Sequence, residues 1–291
     1  MLIEQVKKLK PLDRFIYWIR ERNQIYLRRR AGKPKPWTDD LILQSFKFCN
    51  VRRCLDTVSQ WLIENWYKPY RDHPNLVLAC TLARQLNTTA ALEAIGFPVS
   101  WNPEKVQAVL EQRARDGERN YSAAYMITSR YGKRRRAPQT KEYQTVWTVC
   151  NPVAQHPPQL DSSSFRETWK RLLWIPGFGS FIAGQVAADL RWALSGSWED
   201  AQTWAPLGHG SVRGLNRYYN RHLTLNMDKA SLERGDYLEE MRSLFNAVCV
   251  LPRIPSMDLM DFQNCLCEWD KYERTLWGQG RPKSRYDGHA K

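Results

Sequence analysis

One stretch limits the fold of this chain more than any other, the run from Leu172 to Asn216. Leu172, Leu173 and Ile175 lead into Pro176-Gly177-Phe178-Gly179, after which Phe181, Ile182, Val186 and Leu190 return at helical spacing. Proline and glycine break the first helix and the apolar period then starts again, so two helices must meet at a tight glycine hairpin. Two residues without Cβ let a backbone come close to a phosphate. The N–H groups that open the second helix, from Ser180 on, add a partial positive charge. The corner built by Gly177, Gly179 and Ser180 is therefore expected to hold DNA backbone without reading bases. The plainer alternative is an ordinary corner between two core helices.

Charge agrees with a polyanionic partner. The chain has 291 residues, a net charge of +14 and a hydrophobic fraction of 43%. Such a chain can bury a large core while presenting a basic surface, the footprint of nucleic acid before that of an anionic membrane. Between Met1 and Pro36 eleven Lys or Arg face three acids, which marks Arg28, Arg29 and Arg30 as phosphate contacts. Lys133-Arg134-Arg135-Arg136 forms a second basic clip, with Arg134 and Arg135 as DNA contacts. No run approaches the ~20 apolar residues of a membrane span, and no apolar signal core opens the chain, so a soluble intracellular protein is expected. The seven cysteines are scattered with no C-x-x-C pair, which argues for reduced thiols over disulfides or zinc. Only Cys267 lies in a block of functional interest. The absence of G-x-x-x-x-G-K-[ST] counts against a P-loop kinase.

Helical periods dominate and strand signals are few, so the expected class is all-α. Amphipathic stretches are expected at Pro11–Arg30, Asn75–Leu86, Thr88–Ile95, Pro103–Asp116, Leu232–Val250 and Met257–Leu276. The polar, proline-rich stretch from Asn151 to Pro158 suggests a boundary between a lobe of residues 1–150 and one of residues 151–291. Thr38 or Asp39 is expected to cap the helix that starts near Leu41, and Ser162, Ser163 or Ser164 the one entering the hairpin. Three constellations carry chemistry. Asn50, Arg52 and Arg53, with Asp56 one turn on, can form an arginine fork for phosphate or pyrophosphate; a surface Arg–Asp pair is the bland version. His209, Ser211 and Arg213, in a glycine-rich loop before a helix, can form a second anion cradle. Glu268, Lys271 and Tyr272 share one helix face, where a carboxylate, an amine and a phenol can converge. Trp37 and Trp204 are candidate base-stacking residues, and a divalent ion could be shared by pyrophosphate and Asp39 or Asp40, though the sequence demands no cofactor.

The hairpin followed by Glu199 and Asp200 resembles the helix-hairpin-helix DNA glycosylase superfamily. That resemblance implies two packed helical lobes with a cleft, and a catalytic carboxylate at Asp200. Phe181 stands where bifunctional members carry a lysine, which disfavours Schiff-base lyase chemistry. Four blocks in order resemble a narrower group, the helical domain of phage 5-hydroxymethyl-deoxyuridine DNA kinases and its alpha-glutamyl/putrescinyl thymine pyrophosphorylase relatives. They are YWIRERNQIYLRRRAGKPKPWTDD, FKFCNVRR with Asp56, TWAPLGHGSVRGLNR, and LCEWDKYER with GRP and Arg285-Tyr286. The resemblance implies transfer of an amine, from an amino acid or polyamine, onto phosphate- or pyrophosphate-activated 5-hydroxymethyl-uracil in phage DNA, in the host cytoplasm. It implies Arg52, Arg53 and Arg213 on the leaving group, and Asp200, Glu268 or Asp40 as base. A glycosylase, or a module that binds modified DNA for a separate kinase, are the alternatives.

Overall fold

A computed structural model describes residues 3–122, 140–160, 163–194, 198–225 and 236–286 of the chain. Among them the regular structure is helical, and the only β feature is an isolated antiparallel bridge between Phe46 and Arg285. The helices, in chain order, are α1 Ile3–Lys7, α2 Pro11–Arg30, α3 Leu41–Ser45, α4 Thr57–Trp61, α5 Leu76–Leu86, α6 Thr89–Ile95, α7 Pro103–Arg115, α8 Lys141–Tyr143 and α9 Asn151–Gln155. They continue with α10 Phe165–Leu173, α11 Ser180–Ala193, α12 His209–Tyr218, α13 Asp236–Cys249 and α14 Leu259–Leu276. The chain divides into two compact units, Met1–Asp56 with Ala201–Lys291, and Thr57–Asp200. The first unit is thus discontinuous, where the sequence reading drew a single break after residue 150.

In the first unit α2 starts with Pro11 at its first turn and Asp13 near its positive end, and finishes on Arg28, Arg29 and Arg30 at its negative end. Its apolar stripe is buried against α14: Phe15 meets Phe262 edge-on at 5.5 Å and Trp269 at 5.0 Å, and Phe245 of α13 meets Phe262 at 5.4 Å. These rings are wholly or nearly wholly buried, and each contributes roughly 1.5–3 kcal/mol through the surface it removes from water. Residues at the two ends of the chain therefore share one core, which explains why the unit is discontinuous.

Helices α12 and α14 lie unusually close. A Cβ added at Gly214 would stand 2.6 Å from the Leu266 carbonyl oxygen, and one at Gly210 would stand 2.8 Å from Cys267 Sγ. Small residues one turn apart let two backbones approach where larger ones would hold them off.

In the second unit every residue of α5 is buried. Asp189 on α11 takes a bidentate ion pair from Arg84 on α5 and a hydrogen bond from Tyr67. Tyr67 lies in a π-helical segment, Leu62–Tyr67. This buried triad ties three elements together. Ser164 caps α10 by accepting from the Glu167 N–H, one of the three serines expected to do so.

Candidate functional site

The hairpin is present as expected and is open to solvent. Helix α10 ends at Leu173, the turn runs through Pro176 to Gly179, and α11 begins at Ser180. Pro176, Gly177, Gly179 and Ser180 are exposed. The two glycines differ in their duties. Gly177 has φ +87°, a conformation disfavoured for residues with a Cβ, and a Cβ there would sit 3.1 Å from Val149 Cγ2 and 3.3 Å from the Thr148 carbonyl oxygen. Gly179 is extended at φ −104°, and nothing lies within 4 Å of its missing Cβ. Gly177 shapes the turn, whereas Gly179 leaves open space before the helix. Trp174 is 89% exposed and Phe181 52% exposed on either side of this corner, two large rings that the sequence reading had not assigned to a contact.

Asp200 has a structural task. Its carboxylate accepts from the Phe165 N–H at 2.7 Å, the Arg166 N–H at 2.9 Å and the Ser164 hydroxyl at 3.0 Å, so it caps the helix that leads into the hairpin. Asp40 is engaged in the same way. It is fully buried and caps α3 by accepting from the Ile42 and Leu43 N–H groups, while its second oxygen accepts from the Tyr17 and Tyr272 hydroxyls at 3.0 and 2.6 Å. Burial first, and the Asp40 charge next, push both phenols well above the usual tyrosine range, so they stay protonated donors. The cap of α3 is thus Asp40 and not Thr38 or Asp39, whose neighbour has the better reach. Four donors thus meet the two Asp40 oxygens, and among the described residues no group of three or more His, Cys, Asp or Glu could hold a metal ion.

The two arginines expected to form a fork differ in burial. Arg52 sits in extended backbone at φ −96°, ψ 117° just before a short 3-10 turn and is exposed, while Arg53, which opens that turn, is 5% exposed. The Arg53 N–H donates to Asp261 at 2.8 Å. Asn50 turns inward as well. Its N–H donates to Asp56 at 2.7 Å, its side-chain amide to the Leu55 carbonyl, and its oxygen accepts from Arg22 at 2.7 Å.

The second cradle is also reassigned. The Ser211 hydroxyl is wholly buried and donates to the Gly208 carbonyl at 3.0 Å, while accepting from Gln263 at 3.1 Å and from the Gly208 N–H. Arg213 and Arg217 both donate to Asp270, at 3.1 and 2.7 Å, and Arg274 stands 3.3 Å from it. Gly210 and Gly214, both inside α12, serve the α12–α14 contact, and Arg213 and Arg217 of the same helix compensate one buried carboxylate. His209 is exposed and Trp204 half-buried.

What the fold does bring together is a polar cluster from three sequence blocks: Cys49, Asn50, Arg53 and Asp56 from one, Arg22 from α2, and Glu268 and Lys271 from α14. Glu268 is 3% exposed, accepts from the Cys49 N–H at 3.1 Å and pairs with Lys271. Burial works against the Lys271 charge, but Glu268 beside it more than offsets this, and Lys271 stays a cation above the ordinary lysine range. Burial pushes the Cys49 thiol far up, with Glu268 and Asp56 adding to the effect. Cys267 is pushed to about 12, chiefly by burial, so neither thiol is a nucleophile at neutral pH. Asp56 is the exception in kind. Burial raises its carboxyl from 3.8 to about 6, against the Asn50 N–H, Arg53 and Arg22, which pull it down. A carboxyl near neutrality can take and release a proton under working conditions. The sequence offered Asp56 only as a guanidinium holder.

The end of α2 forms a second, outward-facing group. Arg28 binds the Trp37 carbonyl and lies 3.3 Å from Glu21. Arg29 and Arg30 are exposed. The Trp37 indole donates to the Lys33 carbonyl at 2.7 Å and meets Tyr286 edge-on at 5.7 Å. Tyr286 and Lys47 are the members that sequence reasoning did not single out as contacts. Arg134 and Arg135 lie outside the described residues.

The model of a family described as the 5-hmdU DNA kinase helical domain matches residues 10–281. A 5-hmdU DNA kinase of Bacillus phage SP10 is 26% identical over 304 residues, an alignment covering 93% of this chain and 47% of that protein. The chain thus spans about half the length of that curated relative. No solved structure matches it.

Proposed function

The chain belongs to the 5-hmdU DNA kinase helical-domain family, and from that premise we propose that it acts in thymine hypermodification of phage DNA, in the host cytoplasm, by transferring an amine onto an activated 5-hydroxymethyl-uracil. The amine nitrogen attacks the methylene carbon, a C–N bond forms, and the C–O bond to phosphate or pyrophosphate breaks with that group leaving. The proton lost by the amine goes to Asp56. Lys271, a cation held in the cluster by Glu268, stabilises the departing charge, and Arg52, exposed beside Arg53 in sequence, is a further candidate for it. Glu268 is a positioning residue that holds Lys271. DNA is gripped by the exposed hairpin around Gly177, Gly179 and Ser180 and by the basic end of α2, and Trp204 remains a candidate for stacking.

The observation that carries this reading is the convergence of residues from separate blocks on one cluster holding a carboxyl at about 6. Asp200 and Asp40 are set aside as bases because capping occupies their oxygens. Those same internal bonds favour a second reading, in which the chain is a non-catalytic module that presents modified DNA to a separate kinase. Single-turnover incubation of DNA bearing 5-pyrophosphoryloxymethyl-uracil with amino acids or polyamines, followed by nucleoside mass analysis, separates these. A heavier nucleoside supports transfer, and its rate should rise with pH through about 6 and collapse in Asp56→Asn with DNA binding kept. An abasic product would mean glycosylase chemistry. Binding with neither product would leave the module.

A further inference from the structure

Resting on the reading that the chain holds DNA, we infer that Arg29 and Lys47 form a phosphodiester clamp assembled on the rings of Trp37 and Tyr286, with Lys35 beside them, and that docking of the C-terminal segment completes it. The Arg29 guanidinium carbon lies 5.1 Å from the Trp37 ring centre and 5.7 Å from that of Tyr286. Lys35 Nζ lies 5.3 and 5.8 Å from the same two centres, and Lys47 Nζ lies 6.0 Å from Tyr286. Three cations from three places in the chain thus share one aromatic pair.

For Arg29 and Lys47 the choice of rings over carboxylates matters. A carboxylate holds a cation by cancelling its charge, whereas an aromatic face holds it by its quadrupole and leaves the charge intact. Arg29 and Lys47 make no ion pair among the described residues. Like charges gathered around one ring repel one another, and a bridging phosphate relieves that repulsion. All three cations are exposed, while Trp37 and Tyr286 are half-buried. The rings are pillars more than platforms: Arg29 and Lys35 already occupy the space over them that a stacking base would need.

Tyr286 owes its place to the tail. Lys47 N–H donates to the Ser284 carbonyl at 2.9 Å, Tyr286 N–H donates to the Ser45 carbonyl at 3.3 Å, and the Arg285 guanidinium lies 5.2 Å from the Phe46 ring centre. The bridge between residues 45–47 and 284–286 therefore delivers the second pillar to Arg29 and Lys35. Without it the three side chains have no common anchor.

The test compares a labelled oligodeoxynucleotide with an abasic strand of the same length across a salt series, using the full chain. Lys47→Gln should weaken both strands alike and lower the salt slope by about one unit, the signature of a lost phosphate contact. Tyr286→Leu should lower it further, and Tyr286→Phe should restore the wild-type slope because the ring and not the hydroxyl is used. Thermal melts show whether each variant is folded, and the Tyr286→Phe and Lys47→Gln pair keeps the test valid if Tyr286→Leu is not. Loss confined to the strand with bases, at unchanged slope, would make the rings a stacking site and overturn the clamp. Unchanged slopes in all variants would overturn it too. A wild-type chain that binds neither strand at low salt would reject the DNA reading itself.

Discussion

The body and the end of α2 put the same side chain to opposite uses. In the body of the helix, Arg14 gives its guanidinium to Glu273 at 2.9 and 3.0 Å and to the Leu9 carbonyl, and Arg22 gives its own to the Phe48 carbonyl and Asn50. In the last turn, Arg29 and Arg30 stand in solvent, Arg29 against rings. The basic run at the start of the chain is thus two populations, one holding the core and one facing outward. A charge count becomes a binding surface only after the buried share has been taken away.

That contrast can be broken most severely from the inside. Glu273→Ala leaves Arg14 as an uncompensated buried cation and should cost about 3–5 kcal/mol in urea denaturation, because Glu273 is 1% exposed. The hairpin repeats the contrast on a smaller scale. Gly177→Ala should cost about 1–2 kcal/mol from its left-handed backbone, and Gly179→Ala should be close to neutral by the same assay, since its φ suits any residue.

Asp56 sharpens the comparison through pH. Its folded carboxyl is raised to about 6 from 3.8, so between those values the folded chain binds the proton more tightly than the unfolded chain. Its contribution to stability is therefore greatest in acid and falls as pH rises from about 4 through 6. Asp56→Asn should flatten that part of the stability curve, and denaturant midpoints across the window would reveal a slope that persists. The smallest effect belongs to the last turn of α2. Arg30→Gln should change stability by under about 0.5 kcal/mol while lowering the salt slope of DNA binding by about one unit, if it meets a phosphate.

Much of the fold was legible in the sequence. Pro11 to Arg30 was bounded correctly because a proline opens it, arginines close it and its apolar residues keep helical spacing; the hairpin followed from glycines set between two apolar periods. The cap of α3 was missed by one or two positions, since Thr38, Asp39 and Asp40 are all capping residues and only the Tyr17 and Tyr272 hydroxyls single out Asp40. The glycine-rich stretch from Gly208 to Gly214, which opens α12, was read as an anion cradle because glycine serves close approach to any backbone. That the approaching group is Leu266 of α14, and no ligand, depends on a neighbour more than fifty residues away. The clustering of Cys49, Asp56 and Glu268 had no local signal either, beyond their presence in blocks that resemble a family.

By itself the sequence determined an all-helical fold, a glycine corner between two helices and an excess of positive charge, because periodicity, backbone freedom and net charge are properties of neighbouring residues. Tertiary structure alone decided which arginines are spent inside, which carboxylates are caps and which one is lifted toward neutrality. Burial and pairing depend on residues brought from the other end of the chain, such as Glu273 to Arg14 and Tyr286 to Arg29, and a side chain's charge can do chemistry only where that folding leaves it unspent.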